Sequence, residues 1–189
     1  MINIVKFTRE KLGGISIPRL ILLEISGLFY FFVKFFPGAI GYVLRYGVLK
    51  VILKKLENFC FISPNVEILH FNNIYIGRRF ACNTGSYLNG IGGLEIGNDV
   101  LIGSNVTIST GKHPIDNLEG SIFSQPTIPL PIRIEDGVWL GAGVVVLPGV
   151  TIREGSVVGA NSVLTKDTEP WGIYTGAPAK LLRFRKIAD

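Results

Sequence analysis

Residues 134–169 read IEDGVW LGAGVV VLPGVT IREGSV VGANSV LTKDTE when written in sixes. The first place in each block is aliphatic: Ile134, Leu140, Val146, Ile152, Val158 and Leu164. The fifth is small or β-branched: Val138, Val144, Val150, Ser156, Ser162 and Thr168. Gly, Asp, Asn and Pro crowd the places between, where a chain turns. Neither a helical nor a strand period produces a repeat of six. A short strand plus a turn does, with one aliphatic side chain per repeat aimed at a shared interior. Three such units close a triangular coil, and stacked coils bury a column that no single coil could bury.

The pattern extends upstream. First positions fall at Ile76, Cys82 and Leu88; two extra residues intervene within NGIGGLEIG, and the register resumes at Ile96, Ile102 and Ile108. Between Ile62 and Ile74 the spacing is loose. After Ile108 the stretch TGKHPIDNLEGSIFSQPTIPLPIR has no period. So long an unpatterned loop within a compact solenoid has a use, and solenoids carry such insertions on a binding face. Pro126, Pro129 and Pro131 stiffen its return, so loop 111–131 is expected to be an ordered arm.

The chain has 189 residues, a hydrophobic fraction of 48% and a net charge of +5. Its basic residues form no arginine-rich run and no aromatic RNA-binding pattern, which excludes nucleic acid as the expected partner. Cofactor phosphates or anionic lipid match better. Cys60 and Cys82 lack metal-ligand spacing and suit a reducing cytosol. Lys6, Arg9 and Lys11 precede an apolar run, with no cleavage site of the usual kind after it.

Much of the apolar excess lies near the N-terminus. Ile17 to Phe36 is strongly apolar, interrupted by Glu24 and Lys34, and Pro37-Gly38 breaks it. AIGYVLRYGVLKVILKKLENF then predicts a second helix, with Lys50, Lys54 and Glu57 on one face and Val48, Ile52 and Leu56 on another. The expectation is two helices lying on a membrane surface or packed together. The alternatives are a spanning hairpin, which would need ~20 mostly apolar residues, and a plain cap or oligomer interface. The division expected is a helical segment over 1–57, a coil domain over 58–169, and a tail over 170–189 that turns at Gly176-Ala177-Pro178 into a short basic helix closing the stack.

These hexads resemble those of the hexapeptide-repeat acyltransferases, and the resemblance covers about Ile74 to Arg183. It implies an all-β solenoid, a left-handed parallel β-helix with N-terminal helices and a short C-terminal helix. The handedness comes from kinship, since coils of this kind break the usual right-handed crossover rule. The segments VWLGAG and GKHPID, and the ending GAPAK, are similar to family motifs. PGAIGYVLRYGVLKVILKKL resembles the segment before the coils in polysaccharide O-acetyltransferases of this family.

Carried over residue by residue, the resemblance makes His113 of GKHPID the catalytic base, as in the maltose and galactoside acetyltransferases. Imidazoles titrate near neutral pH, and a sugar hydroxyl needs a base to attack a thioester. Asn83, thirty residues earlier, falls where relatives bind the acceptor; the aspartate they often carry a little further on is missing here, and Asn89 is the nearest polar residue. The backbone N–H of Ala142 would hold the oxyanion, and Trp139 would line the site between neighbouring subunits. Acetyl-coenzyme A would run beside the later coils, against backbone around Gly159, Ala160 and Thr165, with Lys166 and Arg183 on its phosphates.

The function this implies is an acetyl-coenzyme A-dependent O-acetyltransferase. It would act on a sugar hydroxyl of a surface polysaccharide (capsule, exopolysaccharide or O-antigen) or its lipid-linked precursor. The expected setting is a homotrimer in the cytoplasm, peripheral on the inner face of the cell membrane, with residues 1–57 as the contact. An acetyltransferase for serine, a simple sugar, an amino sugar or an antibiotic is the alternative, and a non-catalytic coil scaffold is another. The zinc carbonic anhydrases built on the same coil need three histidines, and His70 and His113 are the only two here, so no metal is expected.

Overall fold

The computed structural model describes residues 17–116, 118 and 120–186. The first sixteen residues, including Lys6, Arg9 and Lys11, lie outside the described part, as do the last three. Two helices, α1 (Ile17–Val33) and α2 (Gly38–Ile52), lead into the coils. The first coil is β1 (Lys55–Leu56), β2 (Phe61–Ile62) and β3 (Glu67–Leu69), and the second β4 (Ile74–Ile76), β5 (Ala81–Cys82) and β6 (Tyr87–Asn89). The third is β7 (Leu94–Ile96), β8 (Leu101–Ile102) and β9 (Thr107–Ser109). An arm with β10 (Gly111–Lys112) and β11 (Ile128–Pro129) follows. The fourth coil is β12 (Ile132–Ile134), β13 (Trp139–Leu140) and β14 (Val145–Val146), and the fifth β15 (Thr151–Ile152), β16 (Val157–Val158) and β17 (Val163–Leu164). β18 (Gly172–Thr175) begins a sixth.

Successive coils pair in parallel, strand over strand, to make three flat faces. Leu56, Ile76, Ile96, Ile134 and Ile152 stack inside the first face. Ile62, Cys82, Ile102, Leu140, Val158 and Tyr174 stack inside the second. Ile68, Leu88, Ile108, Val146 and Leu164 stack inside the third. All of these are buried, and so are the small residues at the fifth hexad position. Burial of that small residue is what lets the chain turn a tight corner. Where it is a hydroxyl it is paired: Ser86 Oγ donates to the Gly103 carbonyl at 2.9 Å, and Ser162 Oγ accepts from Gly176 N–H at 3.0 Å. The result is a left-handed parallel β-helix.

Three boundaries differ from the sequence reading. The second helix ends at Ile52, and the coil begins at Lys55, ahead of the expected start at residue 58. Leu56, read as part of a helical face, is the first inward residue of the solenoid. Leu56, Ile62 and Ile68 are in strict hexad register, and the looseness comes from two added residues per coil. Those extra residues sit at one corner, as the 3-10 turn Phe71–Asn73 and the turn at Gly90–Gly93. The expected C-terminal helix is absent: Lys180–Phe184 is a strand, β19, antiparallel to β18. The second face would otherwise end in a free edge, and pairing to that edge outweighs a weak helical preference.

The opposite end is closed by the helices. Ile62 and Val66 of the first coil point carbonyls away from the stack. Arg45 Nε donates to Ile62 O at 2.6 Å, and Tyr30 Oη to Val66 O at 2.9 Å. Arg45 also donates through Nη1 to Phe36 O at 2.6 Å and Val33 O at 3.2 Å, tying the α1–α2 connection to the coil. Leu49, Ile52 and Leu53 continue the apolar column into the cap. Among the described residues, no helix is long and apolar enough to cross a membrane, so the spanning hairpin is set aside.

Candidate active site

The triangular section has three corners, and the candidate residues divide between two of them. Asn83 follows β5 and Ala142 follows β13, so both lie where the second face turns into the third. Gly159 and Ala160 occupy the same corner in the fifth coil. His113, Thr165 and Lys166 lie at the corner where the third face turns into the first. Asn83 and His113 therefore have a side of the triangle between them, six residues of chain or on the order of 15 Å. One chain does not bring them together.

His113 stands at the root of the arm. Gly111 and Lys112 pair antiparallel with Pro129 and Ile128, which holds the two ends of the loop side by side. Gly111 is needed there, because a Cβ would meet Ile91 Cγ2 at 2.8 Å and Thr127 Cγ2 at 2.9 Å. Within the described part of the arm, Ser121 caps the 3-10 turn Ile122–Ser124, accepting from Ser124 N–H at 3.3 Å. His113 itself is exposed and has no hydrogen-bond partner among the described residues. Beyond it the arm turns apolar side chains outward, with Leu118 93% and Phe123 97% exposed.

Ala142 N–H has no partner among the described residues, since its flanking amides, Gly141 and Gly143, make the coil-to-coil bonds. It is free to receive a developing oxyanion. Ala160 N–H, one coil further on, is equally free, whereas Gly159 N–H donates to Tyr174 O at 2.8 Å and can offer a ligand only its carbonyl. Gly141 is demanded by stacking: its Cβ would lie 2.7 Å from Ala160 N.

Trp139 projects from the second face, 52% exposed, between Leu101 and Val157. Beside it runs a groove of about 800 Å³ lined by Leu101, Val157, Ile173, Arg183, Arg185 and Lys186. The fold thus joins Trp139 to Arg183 and adds two cations that the sequence reading passed over. The signal was present: Arg183 and Arg185 share a side only if the tail is extended, and a helical reading separates them. Lys166 lies at a different corner from this groove, exposed and apart from Arg183.

Asn89 is engaged by its own chain. Its Oδ1 lies 2.9 Å from His70 Nδ1 and accepts from Ile91 N–H at 3.1 Å, and its Nδ2 donates to Tyr87 Oη at 3.2 Å. These contacts make it a turn-former under the arm. Among the described residues, no cluster of three metal-ligating side chains occurs.

Comparison with known proteins follows the same lines. The bacterial transferase hexapeptide (six repeats) family matches residues 131–166, and the hexapeptide repeat of succinyl-transferase matches 93–111. The galactoside O-acetyltransferase of Escherichia coli is 34% identical over 142 residues, which span 74% of this chain and 68% of that protein. The chain belongs to the hexapeptide-repeat acetyltransferase family. A putative acetyltransferase of Schizosaccharomyces pombe is 42% identical over 122 residues, 65% of this chain and 58% of that protein. Among solved structures, a Vibrio cholerae hexapeptide-repeat acetyltransferase complexed with acetyl-coenzyme A superimposes with a TM-score of 0.78 at 30% identity, covering 92% of both chains.

Proposed function

We propose that this protein transfers an acetyl group from acetyl-coenzyme A to a sugar hydroxyl of a surface polysaccharide or its lipid-linked precursor. The observation carrying the proposal is the pairing of two features in a member of this family. They are an exposed His113 beside the paired arm root and the N–H of Ala142, each without a hydrogen-bond partner among the described residues. His113 takes the proton from the hydroxyl as its oxygen bonds to the thioester carbonyl carbon. Ala142 N–H stabilises the oxyanion, the C–S bond breaks as the carbonyl re-forms, and His113 returns the proton to the departing sulfur. No acyl-enzyme is required, because holding both reactants together supplies much of the acceleration. Asn83 orients the acceptor, and Trp139 and Ala160 line the donor side. Gly159 and Thr165 offer the donor backbone groups, while Lys166 and Arg183 face its phosphates.

The active form is a homotrimer. Three observations support it: His113 and Asn83 occupy different corners; the arm carries bare Leu118 and Phe123; and the outward row of the second face is apolar throughout, Phe61, Ala81, Leu101, Trp139, Val157 and Ile173. Threefold symmetry sets one corner of each chain against a different corner of the next, which completes a site from two chains. The protein works on the cytoplasmic surface of a membrane, a position favoured by its apolar cap. Incubation with acetyl-coenzyme A and a glycan panel, read by mass spectrometry, tests the activity. O-acetylated glycan is expected; acetylation confined to serine, amino sugars or antibiotics would replace the proposal with the small-acceptor alternative.

A further inference from the structure

A helix that closes one end of a coil stack ordinarily turns a polar outer face to water. This cap does the reverse. Among the described side chains, α1 gives the solenoid side a narrow buried stripe, Ser26 and Tyr30 with part of Val33. Away from that stripe it presents Leu28, Phe29, Phe31 and Phe32, the link to α2 adds Phe35 and Phe36, each about half exposed or more, and α2 adds Ile40 at 71% and Val51 at 67%. So large an exposed apolar surface marks a contact with protein or lipid. The 17 described residues of α1 span ~25 Å, short of the ~30 Å hydrocarbon thickness, so among the described residues no helix is long and apolar enough to cross a bilayer, while α1 can lie in its surface.

Charge identifies what covers this face. Residues 1–55 hold nine Lys/Arg against two Asp/Glu, a net +7, whereas residues 56–189 hold ten against twelve, a net −2. Within the described cap, residues 17–54, five of these Lys/Arg stand against Glu24 alone, a net +4. Two such caps repel each other, and an anionic lipid surface attracts both.

The cap's attachment then sets an orientation. Arg45, Tyr30 and the backbone bond from Asn65 N–H to Lys34 O hold the cap against the first coil. Coils are spaced ~4.8 Å apart. We propose that the outer face of the α1–α2 cap seats in an anionic membrane surface and stands the solenoid upright on it. The first three coils, which include Asn83 and the root of the arm, then lie on the lipid side; the fifth coil, with Ala160 and Lys166, faces the aqueous phase. Acceptor and donor reach the site from opposite ends, the acceptor as a sugar carried on a membrane lipid. Only this assignment of ends to substrates rests on the proposed acetyl transfer; the orientation does not.

The test uses the full chain and vesicles of phosphatidylglycerol with phosphatidylcholine, with no acetyl-coenzyme A present. Fluorophores are placed by Phe32→Cys in the cap, Leu118→Cys in the arm and Lys180→Cys at the far end; Cys60 and Cys82 are buried, and unlabelled wild type corrects for them. The protein should pellet with these vesicles and bind pure phosphatidylcholine more weakly, with partial release by salt. Lipid-borne nitroxides should quench position 32 strongly, 118 less and 180 not at all. Replacing Phe31 and Phe32 by Asp, both exposed and so tolerated by the fold, should weaken partitioning by about 10²-fold or more. Equal quenching at 32 and 180 would overturn the upright orientation. Absence of binding, or binding indifferent to the double substitution, would overturn the membrane contact. An oligomer in lipid-free buffer that the double substitution dissolves would assign the face to a second copy. Because none of these readouts involves turnover, their failure leaves the acetyltransferase reading standing, and failure of the glycan assay leaves this orientation standing.

Discussion

If the site is assembled from two chains, inactive variants should rescue each other. His113→Ala removes the base at one corner, and Asn83→Ala removes the acceptor contact at another, a triangle side away. Neither substitution disturbs the core, since both side chains are exposed. Each variant alone should lose activity, His113→Ala by about 10² or more. In a mixed ring, a site is intact when the chain lending the arm carries Asn83→Ala and its neighbour carries His113→Ala. With equal expression and random assembly that holds for one half times one half, about a quarter of all sites. Co-expression with distinct tags, tandem purification of hybrids and a coupled assay for released coenzyme A thiol would read it. Tandem purification removes the uniform rings, and every mixed trimer keeps one intact site of three, so activity near a third of wild type is expected. A hybrid no more active than its parents would refute the two-chain site and confine the chemistry to one chain.

Further outcomes follow from the cap, the coil spacing and the thiols. Arg45→Met should leave Ile62 O, Phe36 O and Val33 O without their donor and lower stability by about 2–4 kcal/mol, measured by urea denaturation. Gly141→Val should force the fourth and fifth coils apart, because even a Cβ there lies 2.7 Å from Ala160 N; a cost of about 1–3 kcal/mol is expected, with acetyl-coenzyme A affinity falling alongside in calorimetry. Burial pushes the Cys60 and Cys82 thiols up to about 12 from an ordinary 9.0. The folded chain therefore holds protons that the unfolded chain releases, so stability is intact below pH 9.0 and declines as pH rises toward about 12. Replacing Cys60 with Ala should shrink that alkaline decline in a thermal series across the window. Neither thiol should react with iodoacetamide at neutral pH.

The solenoid could be read from sequence because its unit is short and its buried position invariant in kind, as Ile134 through Leu164 illustrate. The first coil was harder. Leu56, Ile62 and Ile68 keep the register, but the added corner residues push the next inward residue out to Ile76, and a fixed ruler of six loses the count. The C-terminal strand was misread for a different reason. KLLRF has no decisive period, and what makes it extended is a free edge on the second face, a property of the folded stack. His113, Ala142 and Trp139 stood out through their motifs. That His113 and Ala142 lie on different corners, with Trp139 on a face, could not be read from motifs, because it depends on which part of the triangle each occupies. Arg185 and Lys186 were overlooked for the same reason that β19 was.

The central claim is that His113 is the general base of an acetyl transfer, and a single comparison addresses it. Turnover of acetyl-coenzyme A with an acceptor from the glycan panel should fall by about 10² to 10⁴ in His113→Ala. Its acetyl-coenzyme A affinity by calorimetry should stay within a fewfold of wild type, since His113 lies apart from the groove around Trp139 and Arg183. Turnover within a fewfold of wild type, with affinity unchanged, would contradict the claim.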